Sequence, residues 1–201
     1  MTASNKYLLL TVFSFIAGMI QVSAQMKSCC EPVSTILIST VKQTEGTLKM
    51  VKILDSINKH VNPEDFFVMN TQRAEMFRQK LLAEQDPAKR LDYYFQYSNE
   101  CLNAGNTDEA IGVMSQVINA LKLTWETLTT DNKSLFDLLA IAYMRKGELE
   151  NCALNHNAQS CIIPIQGEGI HKLPYGSQNA IEIYKMLLTK FPDDLQSRYL
   201  L

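Results

Sequence analysis

The sequence predicts an all-α fold: helical hairpins stacked in chain order as a solenoid, with a long loop bearing cysteines and histidines inserted within one of them. Three observations carry this expectation. From about residue 70 onward apolar residues recur at the i, i+3, i+4 and i+7 spacing of one helix face. The periodic segments are punctuated by glycine and proline at the places where helices stop and start. Between Glu150 and Ser177 the period breaks, and the stretch ENCALNHNAQSCIIPIQGEGIHKLPYGS gathers cysteine, histidine, glycine and proline between two helical segments.

The chain has 201 residues, 46% of them hydrophobic and 20% charged, which suits one folded domain with its own core. Its net charge is −2 with both signs interspersed, so it lacks the basic field that binding to a phosphate backbone requires, and no nucleic-acid partner is expected. Residues 1–24 read as a secretory signal peptide: Lys6, an apolar run from Tyr7 to Ile20, and the small-x-small site Val22-Ser23-Ala24. The run falls short of the roughly 20 apolar residues of a membrane span, so no span is expected after cleavage. The mature chain is then exported, to the periplasm, the cell surface or the medium. Export changes the reading of the five cysteines, because an oxidising compartment favours disulfides. Their number is odd, so at least one is left outside an intramolecular pair. Cys29 and Cys30 are adjacent and read as a tether for the N-terminal segment, whereas Cys101 reads as a small core residue.

In chain order, residues 25–68 form an N-terminal segment that is only partly helical. Val33 to Val41 is rich in β-branched residues, as a short strand would be; Leu48, Val51, Leu54 and Ile57 predict a helix from about Gly46 to His60. Asn62-Pro63-Glu64-Asp65 breaks it, since proline holds the preceding residue extended. Asn70 or Thr71 is expected to cap a helix reaching about Glu84, with Met76, Phe77, Leu81 and Leu82 inward. Asp86-Pro87 starts the next, at the position where proline loses no hydrogen bond, and Gly105-Asn106 ends it. Thr107 is expected to cap a helix whose stripe is Ala110, Val113, Met114, Val117, Ile118 and Leu121. Leu135, Leu138, Leu139, Ala142 and Tyr143 predict a helix that stops at Gly147. Beyond the loop, Ala180, Ile181, Tyr184, Leu187 and Leu188 predict another, ended by Phe191-Pro192. Trp125, Tyr93 and Tyr94 are expected to pack between helices.

The run from Glu100 to Ile111 resembles the helix-turn-helix of tetratricopeptide repeats. In that register Gly105 occupies the turn, Ala110 the small position where the two helices touch, and Met114 the next packing position. A second copy has Tyr143 and Gly147 in its first half, and Ala180, Tyr184 and Pro192 in its second. The domain expected is therefore residues 69–201, with residues 150–177 inserted between the helices of one repeat, the usual site of a projecting loop in stacked folds. Arg198 to Leu201 then opens another repeat.

Within the loop, Cys152, His156, Cys161 and His171 are spaced C-x3-H-x4-C-x9-H. Two readings stay open. A Cys152–Cys161 disulfide closes a short loop and stabilises by roughly 2–3 kcal/mol in the chain-entropy description. Two thiolates and two imidazoles are also a sufficient tetrahedral set for zinc, or for Cu(I). The histidines have structural readings as well: His156 pins the loop among neighbouring asparagines, and His171 packs over the preceding helix. A cysteine nucleophile with a histidine base lacks an orienting acid here. No catalytic residue, and hence no enzyme, is expected, and no cofactor outside the zinc or copper reading.

The loop and its flanks resemble a signature of exported bacterial proteins in which tetratricopeptide helices precede FG-GAP propeller repeats and an ASPIC/UnbV domain, relatives of cartilage acidic protein. Asn151, Cys152, Asn155, His156, Cys161, Pro164, Gly167, Gly169, His171, Gly176, Ser177, Ala180, Tyr184 and Pro192 carry it. The resemblance implies a non-enzymatic scaffold that binds a protein or peptide, or the C-terminal domains of its own chain. Those propeller and ASPIC/UnbV regions are missing here, so the sequence is expected to be a fragment truncated at its C-terminus.

Overall fold

The computed structural model describes residues 43–160 and 162–201. Residues 1–24, read above as a signal peptide, and Cys29, Cys30, the Val33–Val41 segment and Cys161 lie outside the described residues. What is described is all-helical, with no strand among those residues: α1 (Glu45–His60), α2 (Asn70–Ala83), α3 (Pro87–Asn103), α4 (Thr107–Ala120), α5 (Lys133–Glu148), α6 (Tyr175–Lys190) and α7 (Leu195–Leu200). From α2 onward each helix packs on the next in the chain, and α3 also touches α5. That pattern is compatible with a solenoid.

Local chemistry explains most boundaries. The Asp86 carboxylate accepts from the Lys89 N–H at 2.9 Å, and Pro87 opens α3. At its other end Gly105 has φ +87°, the Asn106 N–H reaches the Cys101 carbonyl at 2.8 Å, and the Gly105 N–H reaches Leu102 at 3.0 Å. This is the left-handed glycine cap that satisfies the last carbonyls of a helix. The end of α4 closes in the same way around Lys122, with φ 52° and no glycine.

Several expectations need correction. Met69 and Asn106, not Asn70 and Thr107, flank the starts of α2 and α4, and neither makes a side-chain cap bond. Thr107 is instead buried against the core. On α2 Leu81 is buried and Phe77 packs against the core as expected, but Ala74 completes the inward stripe and Leu82 faces solvent. Trp125 is exposed in the α4–α5 connection, where Leu128 is the buried residue. Gly147 does not stop α5, which runs to Glu148 and continues as a wide turn over Leu149–Ala153.

The core is built by Tyr94 and Tyr97 of α3, Val113, Met114 and Val117 of α4, Leu138, Leu139 and Ala142 of α5, and Tyr184 and Leu187 of α6. Each large apolar side chain so buried stabilises by about 1.5–3 kcal/mol. Cys101 is completely buried among them, as expected of a small core residue, but it is also disulfide-bonded. Between α2 and α3, Arg73 donates to the buried Glu100 carboxylate at 2.7 Å, so neither charge is left bare in the interior. Helix α1 differs from the others, since none of its residues is buried.

Candidate functional site

The loop that connects α5 to α6 is held at its base by one side chain, that of Asn151. The Asn151 amide donates to the carbonyls of Gly147 at 2.9 Å and Leu173 at 2.8 Å, and its oxygen accepts from the Lys172 and Leu173 N–H groups at 3.0 and 2.9 Å. The outgoing and returning strands of the loop are thereby joined where they leave the helices. Asn155 donates to the Glu150 carbonyl.

A second layer of amides lies further out. Asn157 donates to the Glu168 carbonyl at 2.9 Å and accepts from the Gln159 N–H at 2.9 Å, while the Gln159 side chain accepts from the Glu168 N–H at 2.7 Å. Two glycines make this approach possible. Gly167 has φ +55°, and a Cβ on Gly169 would collide with the Gln159 carbonyl oxygen. Pro164 follows Ile163 through a cis peptide bond.

Gly176 and Ser177 are not loop residues, because α6 begins at Tyr175. Gly176 lies against Gly147, and a Cβ there would stand 2.5 Å from the Gly147 nitrogen and 2.6 Å from the Tyr143 carbonyl oxygen. The two glycines let α5 and α6 touch backbone to backbone, and the Tyr143 and Tyr175 rings meet edge-on with centroids 5.9 Å apart. Lys146 braces the exit from α5 by bridging Asp108 at 2.7 Å and Glu150 at 2.9 Å. Those two hydrogen-bonded carboxylates hold its ammonium well above the ordinary lysine range. Further into the core, burial, followed by the charges of Asp137 and Asp194, pushes the Tyr184 phenol up to about 12.

Of the four cysteine and histidine side chains, the structure brings Cys152 and His171 together, with Sγ 3.3 Å from Nε2. Two ligands of one tetrahedral zinc, at their usual bond lengths, stand about 3.5 Å apart, so the pair has a separation suited to a shared metal. His156 is exposed and does not complete a three-ligand group with them among the described residues.

His156 and Cys152 border a groove of about 900 Å³ instead, together with Ala153 and Leu149. One wall is α3, through Asn99, Leu102 and Asn103, and the other is α5, through Leu138, Ile141 and Arg145, with Glu148 at the rim. The floor is apolar and the rim polar, the arrangement common in ligand sites. Sequence reasoning passed over Asn99, Asn103 and Arg145. Their signal is the i, i+4 spacing of two asparagines on the outward face of a core helix, which has meaning only once α3 and α5 are known to be neighbours.

Among the described residues no helix is long and apolar enough to cross a membrane. Fold and site together define an all-α chain of consecutively packed helices with a braced side loop next to an open groove. Compared with protein-family models, curated proteins and solved structures, the chain shows no significant match.

Proposed function

We propose that this chain is an exported, non-enzymatic tetratricopeptide-type scaffold that binds a protein or peptide in the α3–α5 groove. The observation that carries the reading is the groove itself: apolar side chains between two neighbouring helices, bordered by Cys152, Ala153 and His156 of the braced loop. The repeat register supports it. Gly105 forms the turn, Ala110 and Ala180 are buried at the small positions, and Met114 and Tyr184 are buried one turn later, whereas Gly147, the expected turn of the second copy, lies inside α5. The resemblance to the repeat region ahead of FG-GAP and ASPIC/UnbV domains belongs to the same proposal, as do the signal peptide and the Cys152–Cys161 disulfide. The test is a random peptide library panned on the purified chain. Enriched peptides are expected to lose at least about tenfold in affinity on Ile141→Asp and nothing on the remote Lys185→Ala. Binders indifferent to Ile141→Asp overturn the groove reading.

A second reading is favoured by the 3.3 Å approach of Cys152 to His171. In it the loop holds zinc or copper through that pair, with Cys161 and His156 as the further ligand candidates, and the metal replaces the disulfide as the brace. Elemental analysis of chain purified without chelator separates the two. One equivalent of metal, lost on His171→Ala together with loop protection from hydrogen exchange, supports the metal. A folded chain without metal, whose Cys152 resists alkylation until reduced, supports the disulfide.

A further inference from the structure

Among the described residues α1 is the helix that buries nothing, although its exit is fixed. Arg73 of α2, itself held by Glu100, donates to the Pro63 carbonyl at 3.1 Å just beyond the helix, and Gln72 donates to Asn58 at 3.0 Å. No helix of the described residues packs along the rest of it. At about 100° per residue, Met50, Val51, Ile53, Leu54 and Ile57 share one side of α1, and Lys49, Lys52, Ser56 and Lys59 share the other. Of the large apolar residues only Leu48 falls on the polar side. The five that share a side are each about half exposed, and such a stripe costs free energy in water unless something covers it.

The spacing of the stripe and the order of the charges indicate the cover. Thr47, Met50, Leu54 and Ile57 are spaced three, four and three residues apart, as along a seam where two helices mesh, and Val51 and Ile53 widen it. Glu45, Lys49, Lys52, Asp55 and Lys59 all lie outside that seam. Counted from Lys52, their signs are antisymmetric: Lys49 stands three residues before it and Asp55 three after, Glu45 seven before and Lys59 seven after. In two copies of α1 laid antiparallel about Lys52, Lys49 of each is therefore level with Asp55 of the other, and Glu45 with Lys59. Met50 then meets Leu54, and Thr47 meets Ile57. The two Lys52 side chains point away from the seam and do not meet. A parallel pair would set each charge beside its like.

We propose that two copies of this chain associate through α1, antiparallel about a two-fold axis at Lys52. Such a contact uses the same patch on both copies and closes at two chains. Its 16 residues make a seam about 24 Å long, short for a permanent interface, so the dimer is a reversible one. An anionic lipid surface fits less well, because two acids stand among the three lysines, Asp55 pairs with Lys59 at 2.7 Å, and α1 has no tryptophan or tyrosine for a headgroup layer. The groove between α3 and α5 takes no part, so this association and peptide binding are tested separately.

Sedimentation velocity of the purified chain, from low to high micromolar concentration, is expected to show a monomer–dimer equilibrium. Leu54→Asp is expected to weaken it at least about tenfold, with circular dichroism showing the variant folded. Lys49→Glu and Asp55→Lys each set like charges level with one another, and each is expected to weaken it about threefold at low salt. The double variant Lys49→Glu/Asp55→Lys restores opposite charges and is expected to dimerise more tightly than either single variant, a recovery that a parallel pair would not show. Wild-type chain that stays monomeric, a dimer indifferent to Leu54→Asp, or a double variant no tighter than the single ones overturns the pairing. A monomer that binds phosphatidylglycerol vesicles through Leu54 overturns it in favour of lipid. A monomer whose α1 amides exchange slowly overturns it in favour of a cover supplied by residues 1–42.

Discussion

Gly147 and Gly176 do their work by having no side chain. Gly176 faces backbone atoms at 2.5–2.6 Å from where its Cβ would be, whereas Gly147 has 3.3 Å to its nearest such atom, the Ser177 nitrogen. Backbone cannot step aside as the end of a flexible side chain can, so the two substitutions should differ. Gly176→Ala is expected to cost about 2 kcal/mol, and to lower Tm by about 6 °C, through overpacking of the α5–α6 contact. Gly147→Ala should cost clearly less, because alanine also favours the helix. Thermal denaturation of both variants checks this, and equal losses would show that the crossing is not set by Gly176. Both glycines stood out in the sequence, but as a helix stop and a loop former. Residue type was legible there, and the partner was not.

At the scale of elements, the segment after α6 is locked to the start of α5 by charge. Lys133 contacts Asp137 and Asp194, each at 2.8 Å, and Ser197 donates to Asp194 at 2.6 Å. The bond from Lys133, then that from Ser197, holds the Asp194 carboxyl below its ordinary range. For Lys133 burial works against the charge, but the two carboxylates outweigh it and raise its pKa. A carboxylate whose folded pKa is depressed adds stability that is present above its unfolded value of about 3.9 and is lost as pH falls through the folded value. Asp194→Asn should therefore lower stability at pH 7, and the gap to wild type should begin to narrow only below about pH 4 and close once the pH has fallen through the depressed folded value. Urea denaturation at neutral and acidic pH measures the gap; a difference that persists in acid would assign the loss to packing instead.

Helix ends show how far elements could be read. The cap at Gly105 was legible because glycine announces a left-handed residue. The same cap at Lys122 was not, since nothing in lysine marks positive φ and only the surrounding packing imposes it. Helix α1 presented the reverse case. Its spacing was read correctly as helical, yet Leu48, Val51, Leu54 and Ile57 are all about half exposed. Periodicity states that a helix has an apolar side and leaves open what that side meets.

For the whole molecule, the all-helical class, the order of the helices from α2 onward and the connection at Gly105 were determined by the sequence alone. They rest on interactions within about four residues, such as side-chain spacing, caps and breakers, which a local reading sees directly. The tertiary structure alone decided that Asn151 joins the two strands of the loop, that Cys152 lies beside His171 across 19 residues, and that α3 and α5 adjoin and leave a groove. It also decided which side of α2 is inward and that Trp125 is outside while Leu128 is inside. Those outcomes depend on how helix surfaces cross and how closely their backbones approach. Packing among many residues far apart in the chain sets both, and no single segment encodes them.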